Sequence, residues 1–483
     1  MVDNTVIAAA FDYLVVSDLH LRGGFQNPTA GLYHFDEEFA DFLRYYRLHR
    51  PGTRPWMLII AGDFIEFLYI TDLPDPNERL LRGATFDEDE ARYGPGTEPQ
   101  KSRWKLDTIL RSSHPQLLLA LARFLAEGNH IVVLRGNHDI EMFWPSVQEH
   151  FVRLLAEHHP ADVGYMAMKD ALAQRLHFGS WFWYVPELLY VEHGCQYDPF
   201  CSFEHVLNPV RPAQPMCIEN SISDLSVRYF ANQMKLLDAM AVENIKSVSE
   251  YVRWVVHGNL WFLSRAVRLY AAMVRRVLAQ SGPPDPQLEQ IVRAEHERGL
   301  AATDERFGLP PGTAAKVHAQ HQTPIMRSRV ATARFLGLDL FAAGLVLVAC
   351  AVFMTVGRVG WVGWWAPVVV VGLGGVIGLV IYVGALRVRR IAEAGKLHRT
   401  AEHLADLFHV PYVLFGHSHR AGRWPLRRDG SYFNVGTWVP LAKSAFFVYF
   451  ALTGDGPQRH VGLWRWNKGK AEPEPFESTS GAP

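Results

Sequence analysis

The sequence predicts an α/β fold, because short apolar, β-prone runs alternate with stretches whose apolar residues have helical spacing. The runs expected to be strands in the first part of the chain are 13–16, 57–61, 131–134 and 188–191. The stretches with helical spacing are 35–49, 117–126 and 147–156. After His419 the pattern becomes that of a meander, with predicted strands at 432–438, 444–452 and 460–466.

The two ends of the chain have different compositions. The N-terminus lacks a basic region, and its first apolar run leads directly into Asp18, so we expect a strand and not a signal peptide there. Residues 467–483 are rich in proline, glutamate, serine and glycine. We expect this tail to be disordered.

The composition excludes several classes of protein. The 48 basic residues are balanced by 49 acidic ones, so the overall charge does not favour binding to nucleic acid. The four cysteines are few and irregularly spaced, which argues against a disulfide framework and a zinc finger and favours a reducing compartment. With 483 residues, the chain has room for two or three domains.

Five short polar segments each follow an apolar run, the last of which is 410–415. The segments are Ser17-Asp18-Leu19-His20, Gly62-Asp63, Gly136-Asn137-His138-Asp139, His193-Gly194 and Gly416-His417-Ser418-His419. Each one alone could be a turn or a capped loop. Together they place aspartate, histidine and asparagine at the ends of buried strands, and these side chains bind hard or borderline metal ions. The set therefore predicts a site for two metal ions.

These segments resemble the D-x-H, GD, GNH[D/E], H and GHxH pattern of the calcineurin-like metallophosphoesterase superfamily. The resemblance covers residues 10–200 and 405–465. It implies an αββα sandwich that combines both halves of the chain around one site. It also implies that a metal-activated hydroxide hydrolyses a phosphoester or pyrophosphate bond.

The resemblance also assigns the metal ligands. The first metal would be bound by Asp18, His20, Asp63 and His419, and the second by Asp63, Asn137, His193 and His417. Asp63 would bridge the two ions, since a carboxylate has two oxygens and places a negative charge between two cations. We expect manganese, with iron, zinc, cobalt and magnesium as alternatives.

His138 and Asp139 are the predicted catalytic residues. The resemblance implies that His138 is not a ligand but donates a proton to the leaving oxygen or a hydrogen bond to the phosphoryl group. Asp139 would orient His138 through its other ring nitrogen. The alternative for Asp139 is a turn or helix-capping residue.

One branch of the superfamily fits better than the others. The segments 62–67, 416–420 and 434–438 resemble corresponding segments of UDP-2,3-diacylglucosamine pyrophosphatases, and Glu66 would support the site without being a ligand. The chain departs from that branch because it has His138 where those enzymes usually have arginine. It is also much longer and contains a candidate membrane hairpin, so the exact substrate stays open.

Two polar or basic segments leave alternatives open. Residues 71–105 could form a lid over the site, although a solvated surface loop is the favoured interpretation. Residues 222–280 have helical spacing throughout, with basic residues interleaved with aromatic ones. Such a stretch could lie on an anionic membrane surface or belong to a helical domain that packs on itself.

Two long apolar runs predict a transmembrane hairpin at 337–387. Residues 338–357 contain one charge, at Asp339, and residues 361–386 contain none. At 1.5 Å per residue, the first run reaches about 30 Å, the thickness of a hydrocarbon core. Trp361, Trp364 and Trp365 would form an interfacial belt at one end of the second run.

The hairpin also predicts the topology. Asp18 precedes it and His417 follows it, so the chain must cross the membrane an even number of times for both residues to reach one site. The basic residues that flank the pair are Arg327, Arg329, Arg334, Arg387, Arg389, Arg390 and Lys396, and only Arg358 lies in the connection. The positive-inside rule then places the catalytic domain in the cytoplasm.

The predicted domain organisation follows from these features. The phosphoesterase domain would comprise 10–200 and 388–466, interrupted by a helical insertion at 201–336 and the hairpin at 337–387, with the tail at 467–483. The expected function is that of a membrane-anchored two-metal phosphoesterase, whose phosphoester substrate could be lipid-linked or nucleotide-linked. The alternatives are a tethered phosphatase or phosphodiesterase with a soluble substrate, and a non-catalytic sensor or scaffold with the same fold.

Overall fold

The computed structural model describes residues 10–23, 35–75, 84–233, 260–339, 344, 393–427, 429–439 and 447–476. Within these ranges, no helix combines the length and the apolar character that crossing a membrane requires. Apart from its first three residues and Gly344, the hairpin predicted at 337–387 lies outside the described residues. It stays a prediction.

The described residues form the mixture of helices and strands that the sequence predicts. The strands are β1 (Asp12–Val16), β2 (Trp56–Ala61), β3 (His130–Leu134), β4 (Leu176–Gly179), β5 (Phe182–Val185), β6 (Leu189–Glu192), β7 (Val210–Arg211), β8 (Gln214–Ile218), β9 (Tyr412–Phe415), β10 (Gly422–Pro425), β11 (Ser431–Asn434), β12 (Val448–Thr453), β13 (His460–Asn467) and β14 (Glu472–Pro475). The helices are α1 (Asp36–Leu48), α2 (Glu88–Tyr93), α3 (Pro99–Ser113), α4 (Pro115–Ala126), α5 (Pro145–Glu157), α6 (Tyr165–Arg175), α7 (Ile222–Ser226), α8 (Leu260–Gln280), α9 (Pro286–Phe307), α10 (Thr313–His318), α11 (Arg329–Phe335) and α12 (Glu393–Phe408).

Two sheets contain most of these strands. The larger sheet has the order β14-β13-β12-β1-β2-β3-β4, in which β1 to β4 are parallel and the three C-terminal strands are antiparallel to their neighbours. The smaller sheet has the order β10-β11-β9-β6-β5, in which β6, β9 and β11 are parallel. Each sheet thus joins strands from both halves of the chain.

The two faces of β1 show how the layers are built. Leu14 and Val16 pack among residues of α1, α3, α4 and α5 on the outer face of the larger sheet. Tyr13 and Val15 belong to a second core, which also contains residues of the smaller sheet and of α12. Successive side chains of a strand point to opposite faces, so each strand residue contributes to one core only. The order of layers is therefore helix, sheet, sheet, helix.

A third, smaller core joins helices of the insertion to the end of α2. Met273 and Val277 of α8 pack with Ile222 and Leu225 of α7, and with Tyr93 at the end of α2. Phe307 of α9 stacks on Phe182 of β5, with the ring centroids 5.4 Å apart. The described parts of 222–280 thus pack against neighbouring helices, and residues 234–259 lie outside the described residues. The two alternatives for this stretch stay predictions.

Two sequence predictions about local structure are wrong. The described residues 84–105 are not a solvated surface loop, because they contain α2 and the beginning of α3. The lid over the site stays a prediction. A capping box between Asp87 and Glu90 begins α2, and Pro99 occupies the first turn of α3, so both helices have ordinary start signals. The tail is not disordered from residue 467, because β14 pairs with β13 at the sheet edge, where proline is tolerated.

Candidate metal centre

The five polar segments lie at the ends of five strands, as predicted. Strands β1, β2 and β3 are neighbours and run parallel, so their carboxyl ends meet at one edge of the larger sheet. Strands β6 and β9 are parallel neighbours in the smaller sheet. The two edges come together where the backbone N–H of His417 donates a hydrogen bond to Asp18 Oδ2 over 3.0 Å.

The first group of ligands consists of Asp18, His20 and His419. His419 Nε2 lies 3.0 Å from Asp18 Oδ1 and 3.2 Å from His20 Nε2. His20 Nε2 lies 3.8 Å from both Asp18 Oδ1 and Asp63 Oδ2. Two segments that are far apart in sequence therefore bring their nitrogen and oxygen atoms close together, and all three residues were predicted to bind the first metal.

The second group consists of Asp63, His193 and His417. Asp63 Oδ2 lies 3.1 Å from His193 Nε2, and Asp63 Oδ1 accepts a hydrogen bond from the backbone N–H of His138 over 2.9 Å. Asp63 Oδ2 is thus the atom that approaches ligands of both groups, at 3.1 Å from His193 and 3.8 Å from His20.

Unsatisfied atoms at the site test whether metal ions fit there. Asp18 Oδ1, Asn137 Oδ1 and His193 Nε2 are buried and form no hydrogen bond of normal geometry within the described part of the chain. His193 Nδ1 is engaged by the carbonyl oxygen of Ala61 at 2.9 Å, so only its other nitrogen is available. Buried polar atoms without partners are costly, and divalent ions would satisfy all three. The residues therefore fit a two-metal centre.

The backbone at the site is held in an unusual conformation. The φ angles are +56° at Asp18, +47° at His20, +50° at Asp63, +63° at His417 and +56° at His419. Non-glycine residues seldom adopt this left-handed region, and such strain concentrates at functional sites. Close approach also requires a glycine at position 136, because a Cβ atom there would overlap Asp63 Oδ1.

Glu66 connects two of the site histidines. Its Oε2 atom lies 3.0 Å from His20 Nδ1 and 2.8 Å from His138 Nδ1. The predicted contact between Asp139 and His138 is wrong. The Asp139 carboxylate instead accepts hydrogen bonds from the backbone N–H groups of Gly136, over 2.6 Å, and Phe64, over 2.8 Å. Asp139 thus fixes the turn, which is the alternative that the sequence left open, and Glu66 orients His138.

The charges of the site shift the pKa values of its residues. Burial raises the pKa of Asp63, but His193 and His138 outweigh this effect and hold it well below its usual range. Burial lowers the pKa of His138, but the carboxylates of Glu66 and Asp63 outweigh it and raise the pKa to about 9. In the metal-free protein, these charges favour a protonated His138 and an ionised Asp63 at neutral pH.

The sequence prediction missed Asp198. Its Oδ2 atom lies 3.2 Å from His417 Nε2, which leaves Nδ1 of His417 as the nitrogen that can face a metal. Asp198, Cys201 and His417 also form a group of ligand atoms. Asp198 follows β6 and the turn at Cys195–Tyr197, and no local pattern marks it. Only its proximity to His417 in the folded chain identifies it.

The segment 434–438 holds the loops of the site together. Asn434 Nδ2 donates a hydrogen bond to the Gly416 carbonyl oxygen over 2.6 Å, and Thr437 Oγ1 donates one to the Asp18 carbonyl oxygen over 2.8 Å. The Trp438 ring is fully buried in the outer core. The late motif therefore connects the β1 and β9 loops and need not contact a substrate.

Comparison with known families agrees with this geometry. Residues 11–194 match the family model described as calcineurin-like phosphoesterase. Comparison with curated proteins gave no match. His417 and His419 lie outside the matched range, yet they contact Asp18 and Asp198 in the same site. Residues 11–194 are thus similar to a calcineurin-like phosphoesterase domain, and this matched part carries Asp18, His20, Asp63, Asn137 and His193.

Proposed function

We propose that the protein is a two-metal phosphoesterase that hydrolyses a phosphoester or pyrophosphate bond. The observation that carries this proposal is the position of Asp63, whose Oδ2 atom lies 3.1 Å from His193 and 3.8 Å from His20. One carboxylate oxygen thereby reaches both groups of candidate ligands. Manganese is our first choice of metal, because imidazole and carboxylate ligands suit it.

The residues of the chain have distinct roles in this proposal. Asp18, His20, Asp63, Asn137, His193, His417 and His419 would hold the two ions. Bound divalent ions would polarise the phosphoryl oxygen and provide a nucleophile near neutral pH. His138 would donate its proton to the leaving oxygen, while Glu66 stabilises the charged ring at 2.8 Å.

We further propose that the enzyme is anchored to a membrane by the hairpin at 337–387, with its catalytic domain on the cytoplasmic side. The support is the pair of apolar runs and the basic residues that flank them. The contact between Asp18 and His419 adds support, because it joins residues on either side of the hairpin at a distance of 3.0 Å. A lipid-linked or nucleotide-linked pyrophosphate, as in the UDP-2,3-diacylglucosamine pyrophosphatase branch, is the substrate class that suits this location.

A substrate panel tests the proposal. We would load the purified full-length protein with Mn²⁺ and compare an aryl phosphate monoester, an aryl phosphodiester and a nucleotide-diphosphate lipid. We expect metal-dependent hydrolysis of at least one of them. A His138→Ala substitution should lower kcat about 10²- to 10⁴-fold with both metals retained.

The matched control is the exposed His460, whose substitution by alanine should leave kcat unchanged. Loss of metal from the His138→Ala variant would show that His138 is a ligand and that its role is misassigned. Absence of turnover of every substrate, with two metals bound, would contradict the proposed function.

A further inference from the structure

A groove lies on the insertion and is lined by none of the candidate metal ligands. It has a volume of about 750 Å³ and is formed by α8, α11 and the two residues Leu338 and Asp339. Its apolar lining includes Leu278, Ala279 and Ala333, and Arg275, Arg329 and Arg334 supply three positive charges. Asp339 is the one acidic residue among the described residues of the lining. The groove thus combines an apolar floor with an excess of positive charge.

Hydrogen bonds connect the helices that form the groove. Arg329 Nε donates a hydrogen bond to the carbonyl oxygen of Ser281 over 3.1 Å, which joins the beginning of α11 to the end of α8. Tyr270 Oη donates one to the carbonyl oxygen of Leu336 over 2.5 Å. The two helices are therefore fixed relative to each other, and the groove between them is a preformed feature. The Val330 side chain at its rim is 61% exposed, which is unusual for valine.

The sequence that directly follows the groove indicates which ligand the groove would bind. The lining ends at Leu338 and Asp339, where the sequence enters the uncharged apolar runs 340–357 and 361–386. If these runs enter a bilayer, the groove lies where the polar head groups begin. An anionic phospholipid matches it, because its phosphate would contact Arg275 and Arg329 and its glycerol and acyl chains would contact the apolar floor.

We propose that the groove between α8 and α11 binds the head group of an anionic phospholipid. The site rests on the membrane attachment proposed above and is independent of the catalytic role. Each arginine at an anionic lipid surface contributes a roughly five-fold increase in affinity, and salt weakens this contribution. The lipid would hold the helical insertion against the membrane surface.

The test uses the full-length protein in micelles of a neutral detergent. A fluorescent phosphatidylglycerol is bound and then displaced by unlabelled phosphatidylglycerol, phosphatidylcholine or glycerol phosphate. We expect displacement by phosphatidylglycerol alone, with an affinity that falls as salt is added. Equal displacement by phosphatidylcholine would overturn the proposal, and so would equal displacement by glycerol phosphate, which would indicate a site for free anions.

Substitutions locate the binding. An Arg275→Glu/Arg329→Glu variant should bind phosphatidylglycerol at least ten-fold more weakly, and Arg275→Gln, which alters only an exposed side chain, about five-fold. The matched control is Arg298→Glu, because Arg298 is an exposed arginine of α9 outside the groove. Unchanged affinity in both groove variants, or an equal loss in the control, would contradict the proposal. Hydrolysis of a soluble aryl phosphate by the same variants reports separately on the catalytic proposal.

Discussion

At the scale of single residues, the Asp18 and Asp63 carboxylates each divide their two oxygens between two tasks. Asp18 Oδ2 accepts a hydrogen bond from the His417 backbone, and Asp63 Oδ1 accepts one from the His138 backbone. The other oxygen of each faces histidine nitrogens. The backbone bonds fix the orientation of each carboxylate, so the second oxygen is directed at the metal positions before any ion binds.

Asp198 supplies a prediction about metal affinity. Removal of a residue that holds a ligating histidine in place typically lowers metal affinity or activity roughly ten- to hundred-fold. Substitution Asp198→Ala should therefore weaken Mn²⁺ binding by about that factor, measured by titration of the metal-free protein. Asp198→Asn keeps an acceptor for the His417 ring and should lose less. The exposed Asp170 on α6 provides a control as Asp170→Asn. Equal affinity in wild type and Asp198→Ala would remove Asp198 from the site.

Glu66 supplies a prediction about pH. In the metal-free protein, burial lowers the pKa of His138, while Glu66 and Asp63 raise it to about 9, so the Glu66 carboxylate favours the charged form of the proton donor. Substitution Glu66→Gln removes one of the two negative charges. The pKa of His138 should fall, and the decline of kcat on the alkaline side should move to lower pH. An alkaline limb that stays in place would show that His138 is not the proton donor.

At the scale of elements, the sequence predicted best those strands whose apolar runs end at the polar segments. The runs 13–16, 57–61 and 131–134 correspond closely to β1, β2 and β3, because buried parallel strands require continuous apolar sequence. Helix α2 was missed because its residues are mostly charged. The capping box of Asp87 and Glu90 is a sequence signal that could have predicted its beginning. Strand β14 was missed because its two prolines resemble those of a disordered tail.

The pairing of β3 and β4 supplies a prediction about acid stability. His130 Nδ1 lies 3.2 Å from His177 Nε2. Burial and the charges of His177 and Arg175 lower the pKa of His130 from 6.5 to about 4. Because the folded pKa is lower, the unfolded state binds more protons between these values. The contribution of His130 to the free energy of unfolding is thus present above pH 6.5 and is lost as the pH falls toward 4.

A His130→Gln variant cannot titrate at this position. Its free energy of unfolding should fall less than that of the wild type between pH 7 and about 4, as measured by urea denaturation. The exposed His460 on β13 provides the matched control, as His460→Gln. Parallel pH profiles for wild type and His130→Gln would show that the buried histidine pair does not limit acid stability.

At the scale of the whole molecule, the site joins residues that lie about four hundred positions apart in the chain. His417 and Asp18 differ by 399 positions, yet they are joined by a hydrogen bond of 3.0 Å. The sequence could predict this meeting because each ligand follows a strand and the ligand set is incomplete without both halves. It could not predict that Glu66 orients His138 or that Asp198 faces His417, because these contacts depend on how separate loops pack.

The metal content of the purified full-length protein tests the central claim most directly. After reconstitution with Mn²⁺ and removal of excess metal, elemental analysis should give two ions per chain for the wild type. The Asp63→Asn variant lacks the bridging charge and should retain fewer, whereas Asp170→Asn should retain two. A wild-type protein that binds one ion or none, or an Asp63→Asn variant that still binds two, would contradict the two-metal account.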